Sequence, residues 1–98
     1  NLEQLDLPFQ LHEQPIAESS HVILRLSYAS PLQHAPDLNS IFSAIDRPVH
    51  LYQSHIDSIQ EHLIGKFVVA VPQHDLDIHQ LKQQLQHQFA KIEVLGYA

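Results

Sequence analysis

Ninety-eight residues, 44% hydrophobic and 16% charged, suit a single globular domain and exclude a disordered chain. The net charge of −6 includes only five scattered basic residues (Arg25, Arg47, Lys66, Lys82 and Lys91), so no basic stripe follows a phosphate backbone and nucleic-acid binding is not expected. The absence of cysteine excludes a disulfide framework, thiolate zinc sites and cysteine nucleophiles together.

Residues 1–19 read as a connector. Leu2, Leu5, Leu7, Phe9 and Leu11 alternate loosely with polar residues, Pro8 and Pro15 punctuate them, and Ser19-Ser20 closes the stretch. A short added strand is compatible with that pattern. Asn1 is an unusual first residue, and the chain is expected to be part of a longer protein.

From His21 the pattern tightens. Val22, Leu24, Leu26 and Tyr28 alternate with Arg25 and Ser27, which predicts a half-buried strand over 21–28. A loop is expected over 29–34, because Pro31 and Pro36 restrict the residues before them. Leu38, Ile41, Phe42 and Ile45 then fall at the spacing of a helical core stripe, with Pro36 and Asp37 suited to its first turn and Arg47-Pro48 ending it.

The run 49–59 predicts a second strand and 63–71 a third, joined as a hairpin through Gln60-Glu61-His62. After Pro72-Gln73-His74, either Asp75 or Asp77 caps a second helix whose inward residues are Ile78, Leu81, Leu85 and Phe89. Residues 90–95 alternate around Ile92 and Val94 as a last strand that Gly96 terminates. The order β-α-β-β-α-β predicts an α+β, ferredoxin-like fold with two helices on one face of a four-stranded antiparallel sheet.

Catalytic and metal chemistry find little footing. Nine histidines invite a metal site, but His50 and His55, five apart on a strand, are expected on opposite faces, and His79 and His87 are too far apart on a helix to chelate one ion. There is no Gly-x-Ser-x-Gly elbow, and with only Gly65 and Gly96 there is no phosphate-cradling loop. The third strand carries one aromatic, Phe67, where an RNA-recognition sheet needs several. No apolar run approaches the roughly 20 residues that span a bilayer, and no signal peptide is visible, so membrane association is expected through a partner. A binding or regulatory domain is expected, with no catalytic residue and no metal.

Three stretches carry a family resemblance: Ile56-Asp57-Ser58-Ile59-Gln60, Ile64-Gly65-Lys66-Phe67-Val68-Val69, and the closing Lys91-Ile92-Glu93-Val94-Leu95-Gly96-Tyr97. In this order and spacing the chain resembles the C-terminal NIL domain of bacterial methionine-importing ABC transporter ATPase subunits. The resemblance spans about residues 22–98, so 20–98 would be the regulatory domain and 1–19 the connector from a missing ATPase domain. It implies an ACT-like fold, pairing as a homodimer, binding of cytosolic L-methionine near the dimer interface, and allosteric inhibition of import. It also implies a transporter membrane subunit as partner, at the cytoplasmic face of the bacterial inner membrane. ATP and Mg would belong only to the missing ATPase domain.

The family takes its name from an Asn-Ile-Leu tripeptide early in the second strand, matched here by His50-Leu51-Tyr52. Asn presents an acceptor and a donor on one short side chain, whereas neutral His presents one of each on opposite ring edges. His50, Leu51, Tyr52, Ile56 and Leu32 are the expected methionine contacts, with Leu32, Leu51 and Ile56 as an apolar wall. The alternative is a structural dimerisation module whose ligand site has decayed.

Overall fold

Alternating apolar residues make the first strand the centre of the molecule, because both of its faces find apolar cover. The computed structural model describes residues 7, 9–15, 20–31, 38–43, 45 and 47–98. In chain order it contains β1 (His21–Pro31), α1 (Leu38–Ser43), β2 (His50–Ile59), β3 (His62–Pro72), α2 (Ile78–Leu85) and β4 (Lys91–Tyr97). The four strands form one antiparallel sheet in the order β2-β3-β1-β4, so the architecture is α+β.

On one face Val22, Leu24, Leu26 and Tyr28 of β1 and Phe67, Val69 and Val71 of β3 form the main core, closed by Leu81 and Leu85 of α2 with Ile45 and Phe89. Phe42 of α1 and Ile78 of α2 pack against the same cluster. Each such large apolar side chain contributes about 1.5–3 kcal/mol by leaving water. Tyr28, Phe67 and Phe89 form an aromatic trio within it, Tyr28 and Phe67 lying nearly parallel with centroids 5.8 Å apart. Phe67 is 1% exposed, so its ring offers no platform for a base.

The caps and turns follow from local chemistry. Asp77, the second of the two expected candidates, is the N-cap of α2: its carboxylate accepts from the His79 and Gln80 amides at 3.0 and 3.3 Å. Phe89 lies beyond the helix end, and its amide donates to the Leu85 carbonyl at 3.0 Å, which keeps the ring turned into the core. The hairpin between β2 and β3 turns through Gln60 and Glu61 alone, both at positive φ (50° and 67°), as a two-residue type I′ turn demands.

Two boundaries differ from expectation. Strand β1 runs on to Pro31 instead of yielding to a loop at Ala29, because Ala29, Ser30 and Pro31 find partners in Ile64, Leu63 and His62 of the long hairpin. Gly96 lies inside β4 instead of ending it. Leu24 faces Val94 and Ile23 faces Gly96, which leaves Leu95 as a bulged extra residue. Of the expected first helix, Pro36 and Asp37 lie outside the described residues, as does Leu32 in the preceding loop.

The opposite face of the sheet is covered by the chain's own beginning. Leu7, Phe9 and Leu11 pack on a second cluster of Ile23, Val68 and Ala70, with Leu95 and Ala98 beside them. This strap is tied to β4 through His12 and Tyr97, whose amides and carbonyls exchange two hydrogen bonds of 2.8 Å. Of the loose apolar alternation, Leu7, Phe9 and Leu11 thus have a physical use: they cover a sheet face that the helices leave bare.

Candidate functional site

Strand β2 carries four of the five expected contact residues, and its register decides which of them meet. His50 faces Ala70, Leu51 faces Val69 and Gln53 faces Val68, so Tyr52 is an extra residue in a β-bulge. Beyond the bulge every position changes parity. Ile56, which simple alternation puts beside His50 and Tyr52, faces Gly65 instead and projects on the helix-bearing side together with Leu51. Both are 51% exposed on the sheet's edge strand.

The same bulge corrects a histidine assignment. His50 and His55 face Ala70 and Lys66, which share one side of β3, so the two histidines point to the same face and not to opposite ones. Three intervening β3 positions, Phe67 to Val69, still separate them along the strand. Among the described residues no group of three or more His, Asp or Glu side chains is placed to hold a metal ion.

The strap-covered face brings His50 and Tyr52 together with residues that sequence reasoning missed. The Phe9 ring meets the Tyr52 ring edge-on, centroids 5.0 Å apart. The His21 and His50 rings stand 5.9 Å apart, also edge to face. Between strap and sheet lies a cavity of about 130 Å³ lined by Phe9, His21, Ile23, Tyr52, Ala70 and Ala98. Its lining is mainly apolar, with imidazole and phenol groups as the polar handles. His21 was detectable from its parity with Ile23, but Phe9 and Ala98 come from opposite ends of the chain and no local signal joins them.

Two polar fixtures hold the surroundings. Arg25 donates to Glu93 through Nε (2.8 Å) and Nη2 (3.2 Å), bridging β1 and β4 where the two residues pair directly. The Arg25 hydrogen bond holds the Glu93 carboxyl below the ordinary glutamate value; burial opposes this, and the charges of Arg25 and Lys91 add to it. At the other end of the sheet Arg47 donates to the carbonyls of Pro72, His74 and Asp75, clamping the loop before α2. A larger hollow of about 220 Å³ lies there, lined by Arg47, Asp75, Asp77, Gln80 and Gln84 among others. Arg47 is already committed to three carbonyls, so its charge is not held ready for a ligand.

The NIL domain family matches residues 22–94, from the second residue of β1 to the fourth of β4. The chain is a NIL domain. Along its whole length it is 53% identical to the methionine import ATP-binding protein MetN 1 of Acinetobacter baylyi, of which it spans 28%. In this NIL domain the closing Lys91–Tyr97 run is strand β4, and its Gly96 is where the strap docks. A Cβ there would stand 2.8 Å from the His12 carbonyl oxygen, and φ is +155°. Residues 50–52, expected from the resemblance to match the family's tripeptide, contain the β2 bulge beside the cavity.

Proposed function

We propose that this NIL domain is the regulatory part of a methionine importer's ATP-binding subunit, binding L-methionine and restraining transport when methionine is plentiful. The observation that carries the reading is the apolar cavity beside His50 and Tyr52 in a chain of this family. An amino acid with an unbranched apolar side chain suits it: apolar walls for the side chain, and histidine rings that donate to a carboxylate. Leu51 and Ile56 lie on the helix-bearing side of β2, across the sheet from the cavity, and with Leu32 they are proposed as an apolar surface toward a second copy.

The name of the Acinetobacter relative supports a methionine-import role, a membrane subunit as partner and a peripheral position at the cytoplasmic side of the bacterial inner membrane. ATP and Mg would act in the parent's ATPase part. The strand order supports a ferredoxin-like, ACT-like fold with α1 and α2 on one face. Residues 1–19 serve as the connector to the ATPase part, and 20–98 as the regulatory domain. Regulation then requires that methionine bind the inhibited arrangement more tightly than the active one.

One observation favours the runner-up, a structural dimerisation module. β2 is an edge strand ten residues long on which Leu51, Tyr52, Ile56 and Ile59 are exposed, an edge of the kind that pairs with another strand. Both readings use a homodimer, and ligand binding separates them. Titration calorimetry with L-methionine to millimolar concentration is expected to give saturable heat. Absence of both heat and thermal shift removes the sensor reading. His50→Asn is expected to tighten binding, and an unchanged affinity places His50 outside the contact set.

A further inference from the structure

The cavity has one wall that belongs to neither sheet nor helices. Phe9 closes it from the strap, and among the described residues the strap is fastened to the domain edge by the two His12–Tyr97 hydrogen bonds and by apolar packing of Leu7, Phe9 and Leu11. A segment held by so few backbone bonds opens at far lower cost than the central strands. Gly96 makes the fastening possible, since any Cβ there collides with the His12 carbonyl oxygen. The cavity, at about 130 Å³, has space for about four non-hydrogen atoms at the roughly 30 Å³ that a water takes in the liquid. That accommodates a small apolar side chain such as methionine's.

We infer that Leu7 and residues 9–12 belong to a strap whose docking is coupled to ligand occupancy: an apolar amino-acid side chain enters between Phe9 and the sheet, and ligand and strap hold each other in place. This rests on the proposed methionine-sensing function and deepens it by naming the element that responds. A ligand in the cavity touches Phe9 only while the strap is docked, so occupancy favours docking. By reciprocity a docked strap raises ligand affinity by the same factor. Because the strap precedes the domain, its docking changes how upstream chain is held, which is what a regulatory signal needs. The bulge at Tyr52 contributes by turning that ring toward Phe9.

The test uses the chain as described, with L-methionine as probe, and follows amide hydrogen exchange at His12 and Tyr97 alongside calorimetry. Methionine at saturation is expected to slow exchange at both amides at least about fivefold, the low end of ordinary coupling. Gly96→Ala, which undocks the strap from outside the cavity lining, is expected to weaken methionine binding by a similar factor. Phe9→Ala keeps the His12–Tyr97 bonds and is expected to abolish the slowing, so the inference remains testable where Gly96→Ala fails to fold. Methionine binding with unchanged exchange in the parent chain overturns the strap coupling and leaves the sensor function standing. No methionine binding by the parent chain overturns both.

Discussion

The ring of Tyr28 lies across Gly65 of the neighbouring strand, so closely that a Cβ at position 65 would collide with its Cε1 and stand 2.8 Å from its Cζ. Tyr28 is 6% exposed and held between Phe67 and Phe89, so the ring has nowhere to retreat. Gly65→Ala is therefore expected to destabilise the fold by about 1–3 kcal/mol, the usual cost of overpacking a filled core. Denaturant unfolding reads this as a lowered midpoint at constant slope. A midpoint equal to the parent's would mean that the ring swings aside freely.

The hairpin turn offers a gain. Gln60 and Glu61 occupy left-handed backbone that Asn and Gly adopt more readily. The double change Gln60→Asn, Glu61→Gly is expected to stabilise by about 1 kcal/mol, observed as a raised thermal midpoint. A lowered midpoint would contradict the type I′ assignment.

The start of α2 depends on one carboxylate. Asp77→Ala removes the acceptor for the His79 and Gln80 amides and is expected to cost about 1 kcal/mol, with Asp77→Asn or Asp77→Ser retaining most of it. Equal losses in the alanine and asparagine variants would argue against capping as the cause.

The Arg25–Glu93 pair gives a pH dependence of known sign. Glu93 titrates lower in the folded state than in the unfolded chain, so the folded state binds fewer protons as pH falls through that interval. The pair's contribution is complete above the unfolded glutamate value and is lost as pH drops through the lower folded one. For a partly exposed pair the magnitude is about 0.5–1 kcal/mol. Stability curves of the parent and Glu93→Gln are expected to differ near neutral pH and to converge once pH has fallen through the lowered folded-state value. Curves that stay parallel throughout would place the acid sensitivity elsewhere.

Much of this protein is written locally. Alternation in Val22–Tyr28, the β-branched run of β3 and the spacing of Ile78, Leu81 and Leu85 each state one element's period, and a period is a property of consecutive residues. Asp77 was one of two candidates for a cap, because a capping side chain reaches only two or three residues along its own chain. The family resemblance rested on the same kind of local run, closing with Lys91–Tyr97.

The site was less legible, because it depends on register. Ile56 alternates with His50 and Tyr52 in sequence, yet one unpaired residue opposite β3 sends it to the other face and brings His55 to the face of His50. A bulge is settled by how two distant strands align, and no window along β2 alone contains that information. The same holds for Gly96: as a residue it reads as a strand terminator, but within the fold it is the opening through which His12 reaches Tyr97. Sequence alone determined the existence and order of the strands, narrowed the α2 cap to Asp75 or Asp77, and set an α+β sheet domain. Only tertiary packing decided which side chains share the cavity, because its walls, Phe9, Tyr52 and Ala98, are joined by burial of apolar surface and not by proximity in the chain.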